Sequence, residues 1–362
     1  MEFGLPAEDD PRRLGVRAWI EGHPQPSPAE LASAGYVAPS WPRPWGLDAD
    51  IEDQLIIADE LERAGIDPTG HNPIGIGWAG PTLLAAGSME QKERYLGPLL
   101  RGEEFWCQLF SEPGAGSDLA SLTTRAVRAG EEYLIDGQKV WNTWADRADF
   151  GILLARTDPL APKHRGISYF ICPMRLPGIE VRPIREMTGR THFFEVFFDQ
   201  VRLPAASLVG EENCGWELAR VTLGNERVTL SSGGVLWGMG PTTVEVIKRA
   251  GRPDDRRLRE RVVRLHMSGE VLRLLGYRVL SDLLAGREPG PEVSVRKLLA
   301  DRHGQLAMGL IRDIDGAAGM LSADEDWDWG FLFSPALTIG GGTAEVLRNI
   351  IGERILGLPR DP

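Results

Sequence analysis

The hydrophobic pattern of this chain changes period twice, and that limits its possible folds more than any other feature. Over residues 1–104 the apolar positions follow a helical repeat. Asp53 to Ala64 carries Leu55, Ile56, Ala58 and Leu61 before Gly65 stops the run. Ser88-Met-Glu-Gln91 is a capping-box pattern that leads into Tyr95, Leu96, Leu99 and Leu100, and Ser40 to Gly46 reads as a rigid, aromatic-rich loop. Over residues 105–205 short apolar and β-branched runs alternate with turn signals. Ser121 to Arg128, Tyr133 to Ile135, Gly151 to Ala155, Ile167 to Cys172 and Phe193 to Phe198 are the expected strands. Turns are expected at Ala129-Gly130-Glu131 and, as a hairpin signal, at Asp136-Gly137. Over residues 206–362 the helical period returns in Glu217 to Ser231, Asp255 to Leu284, Glu292 to Gly316 and Ala344 to Leu356. Helix, strand, helix in this order predicts an α+β protein of three domains: helical 1–104, a small antiparallel barrel or sandwich over 105–205, and helical 206–362.

Composition narrows the function classes. With 40 Lys and Arg against 52 Asp and Glu the net charge is −12, a poor basis for holding nucleic acid or anionic lipid through overall charge. The basic run Arg256 to Arg264 is balanced by Asp254, Asp255 and Glu260 and lacks interleaved aromatics, so it reads as a solvated helix face. Three cysteines, odd in number and widely spaced, argue against a disulfide scaffold and for a reducing compartment. Six scattered histidines and no CxxC pattern argue against zinc. Met1 to Pro11, acidic and broken by prolines, does not read as a signal or transit peptide, and no apolar run reaches the ~18–20 residues of a membrane span. A cytoplasmic protein without a membrane span is the expectation. Ser322 to Trp329, acidic with two tryptophans, reads as a loop for subunit contact.

Phe110-Ser-Glu-Pro-Gly-Ala-Gly-Ser-Asp118 carries the most chemistry. Two glycines, a proline and small hydroxyls make a loop that exposes backbone N–H groups and admits a planar ligand. On composition alone, a plain surface turn fits equally well. Asp136-Gly-Gln-Lys-Val-Trp-Asn-Thr143 and Gly340-Gly-Gly-Thr-Ala-Glu-Val-Leu-Arg-Asn-Ile-Ile-Gly-Glu-Arg354 follow it, with Trp41-Pro42 and Gly80-Pro-Thr82 ahead of it. In this order the motifs resemble the acyl-CoA dehydrogenases over residues 28–361. The resemblance implies that family's fold, whose C-terminal domain is a four-helix bundle, and it implies FAD as cofactor. It also implies α,β-dehydrogenation of an acyl-CoA, with an electron-transfer flavoprotein as acceptor. By the same resemblance Ser111 touches the flavin ring, and Ser117 lies by the cofactor pyrophosphate or the acyl-CoA. Trp141 packs on the flavin edge, Thr143 bonds to the ring, and Thr343 and Glu345 lie by the adenosine–pyrophosphate part.

The base of this chemistry must be a carboxylate in a dry pocket, where burial raises its pKa toward the working range. Many family members carry it just before the Gly-Thr of the last motif, where this chain has Gly341. A minority carry it on the first long helix of the C-terminal domain, directly before an arginine, and Leu223-Gly-Asn-Glu-Arg227 matches that pattern. The resemblance therefore implies Glu226 as base, with Arg227 in support and the Gly341 N–H on the thioester carbonyl. Two cofactor motifs depart from the family. Arg-x-x-Phe-Gly is replaced by Lys248-Arg-Ala-Gly-Arg-Pro-Asp-Asp255, and Gln-x-x-Gly-Gly by Asp313-Ile-Asp-Gly-Ala-Ala-Gly319. These departures resemble a branch acting on bulky, steroid-like acyl-CoAs, some of them α2β2 heterotetramers, which leaves a homotetramer or an α2β2 heterotetramer as the expected assembly. A non-catalytic subunit that completes a partner's site, or an oxidase of the same fold, stand as the alternatives.

Overall fold

The strand candidates assemble into one eight-stranded sheet in the computed structural model, which describes residues 6–232, 236, 241–284, 290–321 and 325–360. Contacts divide the chain into two units, Met1–Ile184 with Thr191–Asn225, and Arg185–Arg190 with Glu226–Pro362.

The first unit opens with helices α1 (Pro11–Gly22), α2 (Pro28–Ser33), α3 (Ile51–Arg63), α4 (Gly80–Ala86) and α5 (Met89–Leu100). The Ser88 capping box forms as the sequence suggests: the Ser88 hydroxyl accepts from the Gln91 N–H, and the Gln91 side chain accepts from the Ser88 N–H. Strands β1 (Trp106–Leu109), β2 (Arg125–Ala129), β3 (Glu132–Thr143), β4 (Phe150–Arg156), β5 (Ile167–Pro173), β6 (Ile179–Ile184), β7 (Phe193–Pro204) and β8 (Leu208–Val209) follow. The main path runs β6-β7-β3-β2-β4-β5-β8, with β1 added to β4. Most ladders are antiparallel, but β1 joins β4 in parallel and β2 meets β4 in parallel at a single residue pair. Strands β4 and β5 are buried on both faces, which explains their unbroken apolar runs. Ile152, Leu154, Tyr169 and Ile171 pack with Ile56, Leu61, Leu83 and Leu96 of the helices. Leu153, Ala155, Phe170 and Cys172 pack with Tyr133, Val196 and Leu203 of the neighbouring strands.

Two local expectations are corrected. Asp136-Gly137 is no turn, because β3 runs straight through it. The Asp136 carboxylate accepts the Gln200 N–H at 3.0 Å across a register shift, and a Cβ on Gly137 would lie 2.5 Å from Thr124 Oγ1. The β2–β3 hairpin turns at Gly130, within the expected Ala129-Gly130-Glu131 turn, where φ is +66°. Ser121 to Arg128 is strand only from Arg125, because the Glu112 carboxylate takes the Thr123 and Thr124 N–H groups at 2.7 and 2.9 Å.

Helix α6 (Gly215–Ser232) begins in the first unit, and from Glu226 its residues belong to the second. The second unit continues with α7 (Thr243–Ala250), α8 (Arg256–Leu284), α9 (Val293–Leu321), α10 (Glu325–Phe333) and α11 (Ala344–Ile350). The 29-residue helices α8 and α9 pack on each other, and α7, α10 and α11 pack on α9. Asp313 to Gly319 lies inside α9, which kinks at Gly316 where φ is +55°. Ser322, Ala323 and Asp324 of the expected contact loop lie outside the described residues. The rest of that stretch is helix α10, not loop. Its Trp327 ring carries the Arg249 guanidinium at 4.6 Å, and Arg249 also pairs with Asp315 at 3.0 Å. The last predicted helix ends at Ile350 and gives way to a wider turn over Ile351–Ile355. No helix among the described residues is long and apolar enough to cross a membrane.

A buried polar knot in the first unit joins segments far apart in sequence. Thr82 Oγ1 and Thr222 Oγ1 are 2.8 Å apart, and Tyr169 Oη is 3.1 Å from Thr222 Oγ1. Thr222→Val removes the shared hydroxyl and should cost about 1–3 kcal/mol of stability, read by urea denaturation; an unchanged midpoint would show that the knot contributes nothing.

Candidate active site

In the first unit the glycine loop and the following hairpin strand are fastened by one buried ion pair. Lys139 lies on β3 with no exposed surface. Its Nζ donates to Glu112 Oε1 at 2.8 Å and to the Phe110 carbonyl at 3.0 Å. Burial alone would raise the Glu112 carboxyl, but the Lys139 charge and the Thr123 and Thr124 donors hold it down at about 2. Burial works against the Lys139 ammonium and lowers it to about 8 even with Glu112 opposite. Two residues inside the quoted motifs thus shape the loop, although neither stood out as a functional position in the sequence.

That fastening places the flavin candidates. The Val140 N–H donates to the Ser111 carbonyl at 2.9 Å, so Ser111 lies beside the strand that carries Trp141. Trp141 sits at a β-bulge between Lys139 and Asn142 with φ +62°, a backbone conformation that a bulky residue rarely adopts. Its indole is 59% exposed and meets Phe193 edge-on at 6.0 Å. Thr143, half-buried, pairs with Phe193 across the ladder. A bulky side chain held exposed on strained backbone is a pattern found at ligand sites. Ser117 is exposed at the far end of the loop, next to Asp118. Lys163 Nζ donates to both Asp118 carboxylate oxygens, at 2.8 and 2.9 Å.

In the second unit the structure brings Glu226 and Gly341 together. Glu226 is 7% exposed. Gly341 has φ +66°, and a Cβ built there would lie 3.5 Å from Glu226 Oε1 and 2.5 Å from Leu230 Cδ1. A side chain at position 341 would therefore enter the space that Glu226 and Leu230 fill. Burial, opposed by the Glu226 charge and reinforced by Arg354, holds the Arg227 guanidinium below its ordinary value. Thr343 caps α11, where its hydroxyl accepts the Val346 N–H at 3.2 Å. Glu345 is exposed and pairs with Arg348 at 2.9 Å. These two side chains are engaged with their own helix.

Sequence reading also passed over Lys297 of α9, which is fully buried. Its Nζ donates to Asp301 Oδ2 at 2.8 Å, to the Leu337 carbonyl at 2.9 Å and to the Gly340 carbonyl at 2.7 Å, with the Gly342 carbonyl at 3.4 Å. The only signal was a lysine on the apolar side of a helix. Among the described residues, no group of three or more His, Cys, Asp or Glu could hold a metal ion.

The chemistry of the first-unit donor set fits a flavin: an aromatic plate, two small hydroxyls, and open space beside Gly114 and Gly116, where a Cβ would meet nothing within 4 Å. Lys139→Met, which strands a buried carboxylate, should cost about 3–5 kcal/mol, whereas Lys139→Met combined with Glu112→Leu should recover much of that loss in urea denaturation. The acid limb follows from the depressed Glu112 value. The unfolded chain takes up this proton first as pH falls, so the contribution is full above the ordinary value of 4.5 and disappears toward about 2. Denaturation midpoints measured down to that range check it; a Glu112→Gln chain with the same acid slope as wild type would contradict it.

Family models of the acyl-CoA dehydrogenases match the chain in three consecutive pieces: the N-terminal domain over 15–103, the middle domain over 107–201 and the C-terminal domain over 213–356. The acyl-CoA dehydrogenase FadE34 of Mycobacterium tuberculosis is 45% identical over 332 residues, 91% of this chain but only 46% of that protein. The chain thus spans about half of that relative's length. Acyl-CoA dehydrogenase IpdE1 of the same organism is 38% identical over 354 residues, 95% of this chain and 88% of that protein. Among solved structures, the Tcur3481-Tcur3483 steroid ACAD superposes with TM-score 0.83 at 30% identity, and covers all of both chains. The ChsE4-ChsE5 complex from Mycobacterium tuberculosis does so with TM-score 0.81 at 31% identity, again over both chains in full. From its three domain matches and its fold, this chain belongs to the acyl-CoA dehydrogenase family.

Proposed function

We propose that the chain is an FAD-dependent acyl-CoA dehydrogenase in which Glu226 is the base. The observation that carries this reading is the buried Glu226 carboxylate 3.5 Å from the point where a side chain at position 341 would begin. The carboxylate comes from a different backbone position, yet it occupies the neighbourhood of the residue that usually supplies it. Bound FAD would supply the two-electron acceptor for the hydride leaving the acyl β-carbon. Glu226 takes the α-proton onto a carboxylate oxygen, and the product is the trans-2-enoyl-CoA. The Gly341 N–H is offered to the thioester carbonyl, where negative charge builds as the proton leaves. Arg227, half-buried next to Glu226, adds positive potential to that neighbourhood.

Ser111, Trp141 and Thr143 would hold the flavin ring, and Ser117 the pyrophosphate or the CoA. Thr343 and Glu345 would lie by the adenosine–pyrophosphate part; the Thr343 hydroxyl is taken by its helix cap, so its contribution is the backbone N–H. The altered stretches Lys248 to Asp255 and Asp313 to Gly319 favour an assembly that shares cofactor contacts, as a homotetramer or as an α2β2 heterotetramer with a related subunit. Two neighbours at 30–31% identity are two-component assemblies, one of them called a steroid ACAD, which supports a related partner and a bulky acyl group. Electron-transfer flavoprotein is the proposed acceptor and the cytoplasm the proposed compartment.

The test uses the holoprotein, co-expressed with a related acyl-CoA dehydrogenase subunit where it is colourless alone. Wild type should bleach on anaerobic addition of its acyl-CoA. Glu226→Gln should keep its FAD per chain and lose bleaching by about 10²–10⁴-fold. A Glu226→Gln chain that still turns over would remove Glu226 as base. A wild-type chain that stays flavin-free with every partner would favour the non-catalytic subunit.

A further inference from the structure

We propose that Lys297 is a positioning residue for this reaction: by capturing the carbonyls on both sides of Gly341, it turns the Gly341 N–H toward the charge that builds on the substrate and the Thr343 N–H toward the cofactor. The inference rests on the acyl-CoA reading above and adds a residue to it. The Lys297 ammonium accommodates the carbonyls of Gly340, at 2.7 Å, and of Gly342, at 3.4 Å. In a trans peptide the C=O and the following N–H point in opposite directions. Holding these two carbonyls on one cation therefore turns the N–H of Gly341 and the N–H of Thr343 away from it. Among the described residues, neither N–H finds a backbone acceptor. Both donors are thus preset for an external acceptor, at no reorganisation cost when the charge appears.

Further geometry ties Lys297 to the base. The Cβ point of position 341 lies 3.4 Å from Lys297 Cε and 3.5 Å from Glu226 Oε1, so cation stem and carboxylate flank one glycine. Asp301, one helical turn along α9 and 2.8 Å from Nζ, supplies the counter-charge that lets the ammonium stay buried. The Leu337 carbonyl at 2.9 Å fixes the segment that leads into the turn. With φ of +66° and +96°, Gly341 and Gly342 have no side chains to hold this shape, so the clamp must come from outside the turn.

The experiment separates positioning from folding. Lys297→Met alone strands Asp301 and is expected to lower the melting temperature. Lys297→Met combined with Asp301→Leu removes both charges and should restore melting to near wild type. In that folded double variant kcat should still fall about 10- to 100-fold with KM little changed, and exchange of the substrate α-hydrogen into heavy water should fall in step. Lys297→Arg should recover part of kcat. The probe is whichever of octanoyl-CoA and cyclohexanecarbonyl-CoA turns over faster. Wild-type kcat and α-hydrogen exchange in the double variant would overturn the role of Lys297. Loss of exchange in Glu226→Gln, run alongside, keeps the base assignment intact in that event; retained exchange there would sink the base and leave Lys297 judged by its own variants. A measurement on wild type needs no variant to fold: probe binding should slow amide exchange at Gly341, and no protection there contradicts the proposal.

Discussion

A loop built of glycines and small hydroxyls has no side chains with which to hold itself, so something outside it must. In the first unit that task falls to the Lys139–Glu112 pair. The pair is buried, it ties the Phe110 carbonyl and the Thr123 and Thr124 amides to one strand, and it sets Ser111 beside Trp141. Desolvating two charges is costly, and an apolar pair of the same size would serve stability as well. What an apolar pair could not do is collect backbone donors and carbonyls from three segments at once. The second unit repeats the device with Lys297 and Asp301 around the Gly340–Gly342 turn. In both places a buried ammonium holds a loop whose glycines have no side chains to hold it.

The missing carboxylate at position 341 has a steric explanation. Gly341 adopts a left-handed conformation, and any Cβ there would press on Leu230 and approach Glu226. Under the proposed reading, glycine at the turn goes with a carboxylate on α6.

Much of the architecture was legible in the sequence because it follows from hydrophobic period. The long helices α8 and α9, the strands β4 and β5, and the Ser88 capping box all follow from spacing. What escaped has a common cause: the deciding contacts are non-local. Asp136-Gly137 has the composition of a hairpin turn, but Gly137 is there to let the Thr124 backbone pass. Lys139 and Lys297 carry charges that sequence reading assigns to the surface, and only the fold reveals the carbonyls that receive them. The positive φ of Trp141 has no signature in residue type at all. Ser322 to Trp329 reads as a subunit-contact loop because the arginine that covers Trp327 comes from α7. For the proposed site, the motif residues stand out in the sequence and the buried lysines that hold their loops do not.

The most direct measurement is a crystal structure of the Glu226→Gln protein with FAD and a bound acyl-CoA. The expected result is the substituted amide side chain at position 226 within about 3–3.5 Å of the substrate α-carbon, the reach of a near-attack geometry, with the thioester carbonyl on the Gly341 N–H. An α-carbon well beyond that reach, with a different carboxylate beside it, would contradict the assignment of Glu226 as base.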